Sequence, residues 1–172
     1  MDTPAEATTL GRDRATARIE RMCEWVALAG GLVLVAIALM AATSILGRAL
    51  IREPIQGDYE LVQMGCAIFV ACCLPMAQIR YSNIIVDFFT TSASPAAQAW
   101  LDTVGALVVG CTMAAVAWRT GIGLVDMRAS GQTSTILGIP TWYTYAGMMP
   151  GLALSAVAGF ACAREQLRKA LA

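Results

Sequence analysis

Few residues of this 172-residue sequence are of a type that performs chemistry. Histidine is absent, which excludes a histidine general base and metal binding by imidazole. None of the six cysteines forms a Cys-x-x-Cys pair, and most lie in long apolar stretches, where a thiol behaves as a small apolar group. They are Cys23, Cys66, Cys72, Cys73, Cys111 and Cys162. A membrane thiol oxidoreductase would need paired cysteines near an outer loop, so we expect no redox function.

Four long stretches contain no charged side chain: residues 25–47, 61–79, 103–118 and 129–163. Transporters that move ions or protons keep ionisable groups inside the membrane, where such groups are costly. The central polar residues here are hydroxyls, each able to bond back to its own helix, namely Thr43, Ser44, Thr112 and Ser155. The sequence therefore predicts no catalytic residue and no metal site. It also does not resemble a pump that works alone, since small four-helix drug exporters of similar size rely on a membrane-embedded acid.

The elements that carry these residues are predicted to be membrane-spanning helices. The chain is 58% hydrophobic and 14% charged, against about 25% charged in soluble domains. A span needs about 20 apolar residues, and a transmembrane barrel would need alternating short strands, which are absent from the sequence pattern. We predict an all-α integral membrane protein with four transmembrane helices. The predicted spans are residues 25–47, 61–79, 99–119 and 140–163.

The distribution of Lys and Arg predicts the orientation. Eight of these residues fall in the N-terminal segment, the second loop and the C-terminal tail, and four fall in the other two loops. By the positive-inside rule, both termini are expected in the cytoplasm, with loops 48–60 and 119–138 outside and loop 80–98 inside. The tryptophans agree, because Trp25 and Trp100 fall at predicted inner ends and Trp118 and Trp142 at outer ends.

The predicted domain organisation has three parts. A cytoplasmic or interfacial segment, residues 1–24, precedes the four-helix domain of residues 25–163, and a basic cytoplasmic tail covers residues 164–172. The first span is too long for the apolar region of a cleaved signal peptide. Residues 10–22 could form a helix on the membrane surface, and a frayed polar tail is the alternative.

Proline positions predict the helix boundaries. Ser94 followed by Pro95 is a typical helix start, and Pro140 is expected to open the fourth helix in the same way. Pro75 and Pro150 fall inside predicted helices and should kink them.

The fourth helix carries a face of small residues spaced four apart, and helix three has a shorter version from Ala106 to Ala114. Small residues allow close helix approach, which drives association in lipid. This face could pack against a helix of a partner chain or against helices of the same chain, and both interpretations stay open. The candidate partner-helix residues are Gly147, Gly151, Ser155 and Gly159.

Two stretches of the sequence carry a family resemblance. The first contains Gly57-Asp58-Tyr59-Glu60-Leu61-Val62 and continues at the end of the second helix with Leu74-Pro75-Met76-Ala77-Gln78-Ile79-Arg80-Tyr81-Ser82-Asn83-Ile84-Ile85-Val86-Asp87-Phe88-Phe89. The second is Gly131-Gln132-Thr133-Ser134 to Leu137-Gly138-Ile139-Pro140-Thr141-Trp142, followed by Met149-Pro150-Gly151. With the four-helix layout, these stretches resemble the small permease subunit (four-helix, Q-type) of tripartite ATP-independent periplasmic (TRAP) transporters. One departure is Asn83, where the family often has histidine.

The resemblance implies a non-catalytic scaffold subunit of a sodium-coupled importer for an organic acid, located in the bacterial inner membrane. The implied partners are a large TRAP membrane subunit, a periplasmic substrate-binding protein and membrane lipid, with no nucleic acid. No cofactor is expected on this chain, because sodium would bind the large subunit. Two alternatives remain: a stand-alone small four-helix transporter, and a four-helix membrane enzyme, which would need polar residues converging in one cavity.

Three groups of residues become candidate contacts under this resemblance. Contact with the large subunit is a hypothesis for Ile84, Ile85, Asp87, Phe88 and Phe89; the alternative is that this segment continues helix two. Docking of the binding protein is a hypothesis for Arg48, Arg52, Glu53, Asp58, Arg119, Asp126 and Arg128; the alternative is solvated loop charge. Glu60 is expected to act locally, at the positive end of its helix.

Overall fold

The computed structural model describes residues 14–50, 55–81 and 95–171. These residues form four long α-helices: α1 (Arg14–Leu50), α2 (Asp58–Tyr81), α3 (Pro95–Ser130) and α4 (Trp142–Leu171). Each contains a stretch long and apolar enough to cross a membrane. The prediction of an all-α chain with four spanning helices is therefore confirmed. The orientation of the termini stays a prediction.

The helices pack in the order α1–α2–α4–α3. The chain-adjacent pairs α1 with α2 and α3 with α4 are in contact, α2 packs on α4, and α1 makes a smaller contact with α4. Burial follows this order, because 39% of the most apolar stretch of α4 is buried inside the chain, against 6% of that of α1. Helix α4 is thus central and α1 lies at an edge with most of its apolar surface uncovered.

An apolar cluster joins three helices at the end where α1 begins. Its buried members are Cys23 of α1, Ile79 of α2, and Leu154 and Ala158 of α4. Four partly buried side chains surround them, namely Ile19, Val26, Met76 and Cys162. This apolar cluster accounts for the contact between α1 and α4.

Several helix ends differ from the prediction. Helix α1 starts at Arg14, so residues 14–22 are its first turns and form neither a separate surface helix nor a frayed tail; residues 10–13 lie outside the described part. Helix α3 starts at Pro95 as expected, while Ser94 lies outside the described residues. It continues to Ser130, well beyond the predicted end at residue 119. A charged residue such as Arg119 can end the apolar stretch that spans a membrane without ending the helix.

The connection between α3 and α4 is a short, internally bonded loop, residues 131–141. Ser134 N–H donates to the Ile139 carbonyl at 2.8 Å, and Thr141 N–H donates to the Gln132 carbonyl at 3.0 Å. Pro140 pairs with Thr133 in an isolated bridge, so α4 begins at Trp142 and not at Pro140 as predicted. Pro75 and Pro150 do lie inside α2 and α4.

Candidate functional site

The Glu60 carboxylate binds the loop between α3 and α4. Its oxygens accept the Ser134 hydroxyl at 2.6 Å and the backbone N–H groups of residues 135, 136 and 137 at 3.0, 3.0 and 3.2 Å. We call Glu60 with residues 134–137 the outer cap, after the orientation that the sequence predicts. Glu60 lies in the first turn of its helix, where it was expected to act, and it also anchors a loop more than seventy residues away.

A second carboxylate, Asp58, joins the start of α2 to the end of α1. It accepts the Ser44 hydroxyl at 2.7 Å and the Tyr59 N–H at 2.7 Å, with the Arg48 guanidinium 3.9 Å away. Ser44 is 1% exposed and also accepts the Ile55 N–H at 3.3 Å. Ser44 thus connects two helices, whereas Thr43 and Thr112 bond back to their own helices as expected.

Gly57 brings the two connections of this end into contact. Its φ of +78° lies in the left-handed region, which favours glycine. A methyl group at this position would also collide with the Leu137 side chain. The turn before α2 and the loop before α4 therefore pack directly against each other, beside the outer cap.

Aromatic side chains flank the outer cap along the chain. The rings of Trp142 and Tyr143 stack at 4.1 Å, and the Arg128 guanidinium carbon lies 5.5 Å from the centre of the Trp142 ring. Tyr59 and Ile136 are largely exposed, at 75% and 60%. This end of the chain therefore presents an aromatic and apolar surface with charges at its edge.

The charged residues that were predicted to dock the binding protein differ in their position and exposure in the structure. Arg119, Asp126 and Arg128 are exposed, but they lie on α3 and not in a loop as predicted. Arg48 is exposed at the end of α1. Asp58 is half-buried and bonded within the chain, so it is poorly placed for docking. Arg52 and Glu53 lie outside the described residues.

The small-residue face of α4 is covered by helices of the same chain. A methyl group at Gly147 would lie 2.7 Å from Ile68 of α2, and one at Gly159 would lie 2.7 Å from the Cα of Gly110 on α3. Ser155, between them, is fully buried. This geometry supports the within-chain alternative, because the neighbouring helices already occupy the face that a partner helix would need.

Gly151 makes the closest of these approaches. Pro75 has no N–H to donate to the carbonyl of Ala71, one turn earlier in α2. A methyl group at Gly151 would collide with this Ala71 carbonyl. The backbone of α4 therefore lies against the carbonyl that Pro75 leaves free, a position suited to a weak Cα–H···O contact.

An open apolar groove of about 710 Å³ runs between α3 and α4. It is lined by small residues such as Ala117 and Ala153 and by the larger side chains Trp118, Ile122 and Met149. Asp126 is its one charged lining residue in the described part of the chain. The groove is suited to apolar contact and offers no set of polar groups for catalysis.

Within the described ranges, no group of three or more His, Cys, Asp or Glu side chains is placed to hold a metal ion. The expectation that sodium binds a partner subunit stays a prediction. The segment Ile84–Phe89 and the position of Asn83 lie outside the described residues, so the large-subunit contact is also still a prediction.

The comparison with protein families gave one match. The family described as "Tripartite ATP-independent periplasmic transporters, DctQ component" matches residues 37–169. This range is more than half of the chain. The chain belongs to the DctQ family. It is thus a multi-pass membrane component of tripartite transporters, as the resemblance of its sequence predicted.

The comparisons with curated proteins and with solved structures each gave no match. The DctQ match includes the outer cap and the small-residue face of α4. The two stretches that carry the resemblance, around Glu60 and from Gly131 to Trp142, are brought together by the outer cap. Sequence reasoning missed this contact. The sequence did carry one signal for it, a polar turn between two glycines. The backbone N–H groups of such a turn need a hydrogen-bond acceptor.

Proposed function

We propose that this chain is the scaffold subunit of a sodium-coupled TRAP importer for an organic acid. It supports the large membrane subunit, which binds sodium and substrate, and it helps to dock a periplasmic substrate-binding protein. The DctQ match supports the assignment to a tripartite transporter. The assignment of a scaffold role rests on the contacts that the polar side chains make within the chain.

The observation that carries the proposal is the role of the two outer carboxylates. Glu60 holds the loop between α3 and α4, and Asp58 holds the end of α1. Both are thus engaged in fixing helices relative to one another, as expected of a static support. A transport site would need acids that are available to an ion or a proton.

The apolar surface is consistent with a subunit that is covered by lipid and by another protein. Large side chains such as Leu32, Val35 and Leu39 of α1 are more than half exposed. A large exposed apolar surface on a single chain indicates a protein interaction surface or contact with lipid. We place the chain in the bacterial inner membrane with both termini in the cytoplasm, so that the outer cap faces the periplasm.

Co-purification tests the proposal. The tagged chain is expressed with a large TRAP membrane subunit from the same organism and purified in mild detergent and in nanodiscs. We expect a stable one-to-one complex, and sodium-dependent uptake of an organic acid in liposomes only when both subunits and the binding protein are present. A chain that migrates as a monomer in both media would overturn the scaffold assignment.

A matched control uses the chain alone. Liposomes that contain only this polypeptide should show no solute flux. Flux through such liposomes would favour a stand-alone transporter, and turnover of a membrane substrate by the isolated chain would favour an enzyme. Either result would contradict the proposal.

A further inference from the structure

Ser155 of α4 differs from the other hydroxyls in the middle of the spans. Thr43 and Thr112 donate to carbonyl groups of their own helices, and Ser44 donates to Asp58. Ser155 is 0% exposed, and its Oγ has no hydrogen-bond partner among the described residues. Lipid offers no partner to a hydroxyl either. A fully buried polar group without a partner is costly, so its presence needs a physical explanation.

Gln78 of α2 is a second polar side chain with the same property. Its amide atoms Oε1 and Nε2 are both buried, and neither has a hydrogen-bond partner in the part of the chain that the structure describes. The residue lies in the charge-free stretch of α2, two positions before Arg80. An amide carries two donor hydrogens and an acceptor oxygen. Because both atoms are buried, a partner subunit that covers the outside of this chain cannot reach them.

The contacts between α2 and α4 bring these two side chains close together. A methyl group at Gly147 would lie 2.7 Å from Ile68, and one at Gly159 would lie 3.6 Å from Oε1 of Gln78. The step from residue 147 to 159 along α4 thus corresponds to the step from residue 68 to 78 along α2. The two helices therefore run in the same direction with a nearly constant register. Ser155 lies one turn before Gly159.

The residue of α2 that is level with Ser155 in this register is Pro75, and both side chains are fully buried. Proline has no N–H and an apolar ring, so α2 offers Ser155 no donor at this height. The next amide or hydroxyl side chain along α2 is Gln78. From Ser155 to Gly159, which lies beside Gln78, the rise along α4 is about 6 Å. This is too far for a direct hydrogen bond, whereas two hydrogen bonds in series through one water span about 5.5 Å.

We propose that Ser155 and Gln78 together bind an internal water molecule between α2 and α4, beside Pro75. The Ser155 hydroxyl and the Gln78 amide can each donate or accept, so one water bonds to both. Ordering one water costs less than leaving buried donors and acceptors unpaired. Ordered water is also one of the means by which membrane helices accommodate an internal proline.

The position of the site gives water a route to it. From Pro75 to Arg80 is five residues, or about 8 Å along α2. The Arg80 and Glu24 side chains at this end of the helices are 62% and 48% exposed. Water that enters here meets Gln78 first and does not cross the apolar middle of the chain. The proposal goes beyond the scaffold function and does not depend on it, because it follows from contacts inside the chain.

Transfer of magnetisation from water tests the site directly. The full chain, with isotope-labelled glutamine, is reconstituted in lipid vesicles with and without the large subunit and studied by solid-state NMR. We expect a cross-peak between water protons and the side-chain amide of Gln78, which is assigned by its loss in Gln78→Met. If this amide shows no contact with water, the proposal is overturned.

Removal of the Ser155 hydroxyl tests whether the water bridges the two side chains. In Ser155→Ala the water keeps only its bonds to Gln78, and we expect the water cross-peak to fall by about threefold or more. The control is Thr112→Ala, which removes a hydroxyl that bonds within α3 and should leave the cross-peak unchanged. An unchanged cross-peak in Ser155→Ala would overturn the bridge. So would a direct cross-peak between the Ser155 and Gln78 side chains in place of the one to water.

Unfolding titrations of the same variants in detergent give an independent measurement. Gln78→Met and Ser155→Ala each leave the opposite side chain without its bridge, and we expect each to lower the folding equilibrium constant by about tenfold. The double variant should also lose only about tenfold, because no unpaired group remains. Gln78→Met combined with Thr112→Ala serves as control, and its two effects should multiply.

Multiplied losses for the Ser155 and Gln78 pair would contradict the bridge. Co-purification with the large subunit is measured in parallel, so failure of the scaffold proposal is distinguishable from failure of this one.

Discussion

The outer and inner ends of this helix layer are held by different kinds of contact. At the outer end, Glu60 and Asp58 accept hydrogen bonds from the neighbouring connection and helix. At the inner end, the cluster around Cys23 and the contact between Gly110 and Gly159 are apolar and close-packed. Directional bonds depend on particular atoms, whereas close packing depends on volume. The outer end should therefore be sensitive to removal of a hydrogen-bonding group, and the inner end should be sensitive to added side-chain volume.

The largest effect is expected from added volume at the inner end. Gly159→Ala places a methyl group against the backbone of α3, and we expect a loss of unfolding free energy of about 2–3 kcal/mol. Thermal unfolding in detergent measures it. The control is Gly105→Ala on α3, where no atom lies within 4 Å of the added methyl group and a small gain is expected. Equal effects at both sites would contradict the packing account.

The next effect concerns the outer cap. Glu60→Ala leaves three backbone N–H groups and the Ser134 hydroxyl without their acceptor, so the loop at residues 131–141 should open more often. We expect limited proteolysis in this loop to accelerate by about tenfold, with a smaller change for Glu60→Gln. Asp126→Ala removes an exposed acid of the same end and serves as control. If the loop is cleaved as fast in Asp126→Ala as in Glu60→Ala, the outer cap does not hold the loop.

A smaller effect separates two adjacent hydroxyls. Ser44→Ala removes the buried hydroxyl between Asp58 and the Ile55 N–H, and we expect a loss of about 1 kcal/mol in unfolding free energy. Thr43→Ala removes a hydroxyl that bonds only within its own helix and should change stability less. Unfolding titrations of both variants show whether the contact between helices is the one that matters.

The smallest effect is expected for the exposed ion pairs. Arg48 lies 3.9 Å from Asp58 at the outer end, and Arg80 lies 4.0 Å from Glu24 at the inner end. Exposed pairs contribute little, because solvent screens them and the side chains lose freedom. Arg48→Gln and Arg80→Gln should leave the unfolding midpoint unchanged. A clear shift for either would show that charge contributes to holding that end.

The sequence was sufficient to predict four spanning helices, because the need for about 20 apolar residues is a property of each segment alone. It did not predict where α3 ends: Arg119 limits contact with lipid, and the helix continues to Ser130. The contact of Glu60 with the loop between α3 and α4 was also missed, because these partners are more than seventy residues away. For the α4 glycines, spacing predicted a close contact but not which helix supplies it.

The long sequence separation within the outer cap has a consequence for biosynthesis. Glu60 leaves the ribosome long before Ser134 does. Helix α2 must therefore enter the bilayer with its carboxylate bound to water. That water is exchanged for protein donors only when the last hairpin has been inserted. Insertion of the last hairpin and closure of this end of the helices are then the same event, and a chain truncated before residue 134 lacks the means to close it.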